Sequence, residues 1–88
     1  MFEWDQVKAK ANVLKHGVAF ADTYAVFEDV NALTLDQMVS KEPRHLTIGM
    51  DGFGRILVVV YTWRGDKIRI ISARKATRSE SGQYESEL

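Results

Sequence analysis

Arg44 to Arg78, RHLTIGMDGFGRILVVVYTWRGDKIRIISARKATR, constrains the fold more than any other stretch of the chain. Runs rich in Val, Ile and aromatic residues flank Gly65-Asp66, and a further run ends at Asp51-Gly52-Phe53-Gly54, so the stretch reads as three consecutive antiparallel strands. A two-residue turn with glycine first twists as its flanking strands do, and it sets Arg64 opposite Lys67 and Thr62 opposite Arg69. Side chains alternate along a strand. Leu57, Val59, Tyr61 and Trp63 therefore share one face with Ile68 and Ile70, while Val58, Val60, Thr62 and Arg64 share the other with Lys67, Arg69, Ile71 and Ala73. A four-residue loop at the first turn pairs Met50 with Arg55, which adds Leu46 and Ile48 to the first face and His45 and Thr47 to the second. One face is expected to be a core, and the other is basic at one end.

The 88 residues suit one small domain, 1–88, with a single core. No cysteine is present, which removes disulfides and thiolate metal sites from consideration. The longest apolar run, Ile56 to Tyr61, is too short to span a bilayer, and MFEWDQVKAK lacks the basic start and apolar stretch of a signal peptide. A soluble cytoplasmic protein is expected, with no cofactor and no metal, since no carboxylates cluster in the sequence as a magnesium site would need.

Formal net charge is zero, but it is unevenly spread. Residues 44–78 hold eight Lys or Arg against Asp51 and Asp66, a balance of +6, while residues 1–43 and 79–88 each carry −3. Phosphate attraction depends on the local field, so a basic sheet between acidic flanks remains compatible with nucleic-acid binding. Edge strands also carry Lys and Arg for solubility, which is the alternative reading of any single residue in the cluster.

Upstream, Phe2-Glu3-Trp4 reads as a short strand that joins the sheet or packs on its core face. Asp5 is a helix N-cap, and Asp5 to Lys15 a helix with Val7, Ala11 and Leu14 at core spacing and Lys8, Lys10 and Lys15 more exposed. Gly17 ends it in a left-handed conformation, where Lys15 and His16 complement the free carbonyls. A second helix runs from Ala19 or Phe20 to Glu28, with Phe20, Tyr24 and Phe27 on its core face. Ala32 to Met38 is a strand and Val39 to Pro43 a polar connection. Thr77-Arg78-Ser79-Glu80 is a capping box, predicting a short helix over Arg78–Glu85 that Gly82 weakens. The fold class is α+β, an antiparallel sheet with two N-terminal helices on one face and a short C-terminal helix. The open face, with His45, Thr62, Arg64, Lys67 and Arg69, is a seat for a single-stranded polyanion.

FEWDQVKAKANVLKHGVAFADTYAVFED and GRILVVVYTWRGDKIRIISARKATRSE resemble the BrnT family of bacterial toxins over nearly the whole chain. The most specific parts are Phe2-Glu3-Trp4-Asp5, the Asn12–Gly17 segment ending Lys15-His16-Gly17, and Ile68 to Ala76. The resemblance implies a RelE-like fold and a ribonuclease that inhibits translation. It also implies a BrnA-type antitoxin, a ribbon-helix-helix protein through which the pair reaches operator DNA. Ala19 departs from the Ser or Thr that usually caps the second helix in the family, Gly82 interrupts the last helix, and Asp36 to Pro43 is less family-like.

Metal-free RNA cleavage needs one group to take the 2′-hydroxyl proton, another to protonate the leaving oxygen, and cations for the phosphorane. Arg64 and Arg69 are the first candidates for phosphate, because guanidinium offers a planar fork to two oxygens. The resemblance adds Lys8, His16 and Arg74 to the catalytic candidates and Lys15 to the RNA-binding ones. Lys67, Lys75 and Arg78, from the same basic stretch, complete the RNA-binding set, with His45 in reserve. Arg74 falls on the core face in this register, where a salt bridge to a helix acid is the alternative. Glu80 and Tyr84 either extend an RNA site or cap and pack the last helix, with the latter favoured. Two other classes stay open: a nucleic-acid-binding module without catalysis, and an interaction protein that docks an acidic or aromatic partner segment.

Overall fold

A computed structural model describes residues 1–39, 42–86 and 88. Five strands form one sheet in the order β1-β5-β4-β3-β2, with β1 at Phe2–Glu3, β2 at Leu33–Val39, β3 at Glu42–Met50, β4 at Ile56–Arg64 and β5 at Lys67–Lys75. The class is α+β, as expected, but the sheet is mixed: β1 runs parallel to β5, pairing Phe2 with Ile68 and Glu3 with Arg69. The helices are α1 (Gln6–His16), α2 (Tyr24–Glu28) and α3 (Arg78–Ser86), and a 3-10 turn over Phe20–Thr23 leads into α2 in place of one continuous helix. No helix among the described residues is long and apolar enough to cross a membrane. Of the connection expected over Val39 to Pro43, Ser40 and Lys41 lie outside the described residues, and Val39 and Glu42 already pair across the β2–β3 hairpin.

Local signals behave as their chemistry requires. Asp5 accepts from the Val7 and Lys8 amides at the start of α1, and Gly17 closes it at φ 70. Thr77 and Glu80 form the reciprocal capping box of α3, with the Thr77 amide 2.8 Å from Glu80 Oε1 and the Glu80 amide 3.2 Å from Thr77 Oγ1. Gly65, at φ 62, turns β4 into β5 with Arg64 opposite Lys67 and Thr62 opposite Arg69. Ala19 opens the 3-10 turn in an extended conformation with no side-chain cap. Ala19→Ser is therefore expected to raise stability by about 0.5–1 kcal/mol, read as a higher urea midpoint at unchanged m value.

The first turn departs from expectation by one residue. Met50 pairs with Ile56, not Arg55, because the loop proper is Gly52-Phe53-Gly54. The Asp51 amide reaches the Arg55 carbonyl at 2.9 Å, the Gly54 amide bonds back to the Asp51 carbonyl at 3.2 Å, and Gly54 takes φ 81. That is a three-residue loop with a left-handed glycine last. The Asp51 carboxylate locks it by accepting from the Phe53 and Arg55 amides and from Arg55 Nε. Arg55 also reaches the Gly17 carbonyl at 3.2 Å and Asp22 at 2.9 Å, which ties the loop to the end of α1 and the start of the 3-10 turn. A shift of one residue exchanges faces. Leu46 and Ile48 thus lie opposite the expected face, and His45 and Thr47 lie on the helix-covered one, where Thr47 Oγ1 sits 3.0 Å from the Tyr61 hydroxyl.

A β-bulge makes the second correction. Val60 pairs with Ser72 but Tyr61 with Ile70, leaving Ile71 as the extra residue on β5. Beyond it the alternation inverts: Ala73 joins the helix-side core with Leu57, Val59, Tyr61, Ile68 and Ile70, and Arg74 turns to the other face, opposite Val58. Asn12 of α1 meets this segment. Its Nδ2 donates to the Ala73 and Val18 carbonyls at 2.8 and 2.9 Å, and its Oδ1 accepts from the Ala73 amide at 3.2 Å. β1 covers only the start of β5, so the Asn12 amide serves as the missing neighbour for the uncovered edge.

Burying Asn12 rotates α1 away from its apolar spacing. Val7 and Leu14 are 76% and 88% exposed, and Ala11 is exposed too, so the residues expected in the core point to solvent. The helix-side core is instead filled by Val18, Phe20 and Val26, with Phe2, Trp4, Ala9 and Phe27 packed against it. Nor is the other face wholly open. Tyr84 of α3 packs there with Ile48 and Val58, joined by Leu46, Ile56 and Ala76. Its hydroxyl donates to Asp29 at 2.6 Å, fastening α3 to the loop after α2.

Candidate nucleic-acid interface

With α3 over one end of that face, the exposed part lies toward the β4–β5 turn. Thr62, Arg64, Lys67 and Arg69 are two directly opposed pairs on one side of the hairpin. Opposed residues on one face stand about 5 Å apart at Cβ and diagonal ones about 7–8 Å, so three cations gather within reach of one or two phosphates. Arg64 and Lys67 are exposed. Arg69 is half-buried and donates to Glu3 Oε2 at 3.0 Å, so a carboxylate on β1 sets the guanidinium in place. Thr62 is buried, its hydroxyl donating to the Pro43 carbonyl at 2.9 Å.

The corrected register brings in a further cation. Since His45 is on the helix side, Arg44 alternates onto the basic side, and its Nε is buried with no hydrogen-bond partner among the described residues. Sequence reasoning passed over Arg44 as a site residue because the four-residue loop assigned it to the core face. Reading DGFGR as a three-residue loop ending in a left-handed glycine is the signal that finds it.

The remaining candidates are dispersed. Arg74 is on the same face as Arg69 but five residues along β5, at most roughly 16 Å at ~3.3 Å per residue because a bulge lies between them. There it forms two hydrogen bonds to Glu80, at 2.7 and 2.9 Å. The salt bridge to a helix acid, the alternative to a catalytic role, is present, on the face opposite the expected one. Arg74 holds the Glu80 carboxyl down to about 2, aided by the Thr77 amide against the opposing effect of burial. Glu80 and Tyr84 thus cap and pack α3; donation to Asp29, with burial, pushes the Tyr84 hydroxyl up to about 12. Arg78 opens α3 and is exposed, and Lys75 ends β5 beside Gly54, Arg55, Ile56, Ala76 and Ser81. Lys8, Lys15 and His16 sit on α1, on the helix side of the sheet, with Lys15 and His16 in its last turn. His45 is also on the helix side, its Nδ1 2.7 Å from Asp36 Oδ1.

Glu80 has a testable pH signature. A carboxyl whose folded value lies below its ordinary 4.5 stabilises the fold fully above that value, and loses the contribution as pH falls toward 2. Glu80→Gln is expected to cost about 1–2 kcal/mol at pH 7, allowing for screening of a partly exposed pair, and almost nothing at pH 2. Urea unfolding at both pH values checks it. A gap between wild type and variant that stays constant would show that the pair contributes no such linkage.

The sequence model described as "Ribonuclease toxin, BrnT, of type II toxin-antitoxin system" matches residues 4–80. The chain belongs to the BrnT family. The solved structures agree: the crystal structure of the Brucella abortus ribonuclease toxin BrnT is 27% identical, covering 89% of this chain and 99% of that one with a TM-score of 0.72. No curated protein matches the chain. As a BrnT member, this is a ribonuclease toxin of a type II toxin–antitoxin system. Its α+β sheet with flanking helices is the BrnT fold.

Proposed function

We infer that the chain acts as one domain, in the cytoplasm, as a metal-independent endoribonuclease that cuts single-stranded RNA and so inhibits translation. The observation that carries this reading beyond the family is the cluster of Arg44, Arg64, Lys67 and Arg69 at the end of the sheet that α3 leaves uncovered. Guanidinium groups there can grip the non-bridging oxygens of a phosphodiester in two-pronged fashion and bind tighter as charge builds on the phosphorane. Cations, not converging acids, line this surface; among the described residues no three His, Cys, Asp or Glu are placed to hold a metal ion. Glu3 holds the Arg69 guanidinium through a 3.0 Å hydrogen bond. Arg74, fully engaged by Glu80, holds α3 to the sheet. Lys8, Lys15, Lys75 and Arg78 lie outside the cluster and can add only general attraction for the rest of the strand. His16, at the end of α1, is a candidate proton carrier for any second contact there.

The partner on this reading is a BrnA-type antitoxin that neutralises the toxin and carries the pair to operator DNA. The reading is tested by incubating purified protein with end-labelled cellular RNA in EDTA, with and without ribosomes. Discrete cleavage products in EDTA are the expected result. Salt-sensitive binding without scission in either condition would replace the enzyme with a binding module.

A further inference from the structure

The helix-side core stops short of the β4–β5 turn, and the residues beyond it on this face are only partly covered. The core cluster on this face reaches Tyr61 and Ile68. Trp63, the next residue on that face, is 51% exposed. Across from Tyr61 stands His45, its ring 5.4 Å from the tyrosine ring and tilted by 32°. The side chain of His45 is 23% exposed and that of its partner Asp36 is 78% exposed. A carboxylate only accepts, so the hydrogen lies on Nδ1 and Nε2 points to the far side of the ring, where it has no partner among the described residues. Trp63 and His45 are diagonal neighbours on adjacent strands, about 7–8 Å apart.

We propose that Trp63 and His45 form a nucleobase subsite on the helix-side face, with an unpaired RNA base stacked on the indole and His45 Nε2 at its edge. This rests on the ribonuclease reading and extends it around the sheet end. A nucleotide carries a flat apolar base and an anionic phosphate a few ångströms apart. Trp63 and Arg64 are consecutive, so one strand end offers a stacking plane and a cation on opposite sides of the same backbone. Lys67, opposite Arg64, widens the cationic side. Base stacking on an aromatic plane tolerates any base, which suits a surface with few hydrogen-bonding groups. Asp36 fixes the imidazole and leaves one nitrogen for the ligand, making it a positioning residue.

The experiment titrates the protein with a fluorescein-labelled 2′-O-methyl hexanucleotide, which lacks the nucleophilic 2′-hydroxyl and so reports binding alone. Trp63→Ala is expected to weaken binding roughly tenfold and to remove most of the tryptophan quenching, Trp4 being packed against the core. Trp63→Phe, which keeps a stacking plane, is expected to stay within about threefold of wild type, and His45→Ala to fall between the two. Circular dichroism confirms that each variant is folded. If Trp63→Ala binds as wild type does while Arg64→Ala binds more weakly, the subsite is wrong and the RNA reading stands. If the wild type does not bind the oligonucleotide at all, both fall.

Discussion

Arg64→Ala is expected to cut single-stranded RNA about a hundredfold more slowly than wild type, with stability changed by less than about 0.5 kcal/mol. The side chain is exposed at the turn and has no ion-pair partner among the described residues, so the fold makes little use of it. On the proposed reading its value lies in its position diagonal to Arg69 and directly across from Lys67. Loss of one preorganised donor to a developing anion lowers kcat by about 10²–10³, more than one phosphate contact in the ground state would suggest. Arg64→Lys restores charge but not the planar fork, so it should recover binding before it recovers rate. Salt titration adds a second reading, since each lost phosphate contact lowers the slope of log K against log salt by roughly one. A variant that cuts at the wild-type rate would move the catalytic centre away from the β4–β5 turn.

Asn12→Leu is expected to destabilise the fold by about 3 kcal/mol, although leucine is a good helix former and α1 would gain propensity. The substitution removes three buried hydrogen bonds at once and strands the Ala73 amide and carbonyl and the Val18 carbonyl. In a domain of this size that lowers the melting temperature by roughly 15 °C. Cleavage per folded molecule should hardly change, because Asn12 lies away from the cationic cluster, and this separates structural failure from catalytic failure. Thermal unfolding at constant concentration gives the answer. A loss below about 1 kcal/mol would mean that water can take over the edge of β5 that Asn12 covers.

Both predictions come from the way α1 and α3 divide the sheet. Asn12 docks α1 where the bulge has turned Ala73 inward, and the same bulge sends Arg74 outward to meet Glu80. One extra residue in β5 thus links the placement of both helices. It also leaves the other end of the basic face, with Arg64 and Lys67, clear of α3.

The features legible in the sequence are the local ones. Asp5, Gly17 and the Thr77–Glu80 pair mark helix ends through bonds to residues a few positions away, and Gly65-Asp66 fixes its hairpin because only two residues are needed to turn it. The Arg64, Lys67, Arg69 cluster followed from that one turn. Arg44, the bulge at Ile71 and the exposure of Leu14 did not. Strands with one apolar face announce their register, but here Leu57 and Val59 pack under the N-terminal helices while Ile48 and Val58 pack under α3. When both faces are apolar, alternation no longer says which is which, and a slip of one residue has no signature in composition. What removes the ambiguity is long-range: Arg55 reaching back to Gly17 and Asp22, and Asn12 satisfying Ala73 from 61 residues away. By itself the sequence determined the α+β class, the ends of α1, the start of α3 and the basic hairpin. Tertiary structure decided which face each side chain took, because only there do buried polar groups find the partners that choose among nearly equal registers.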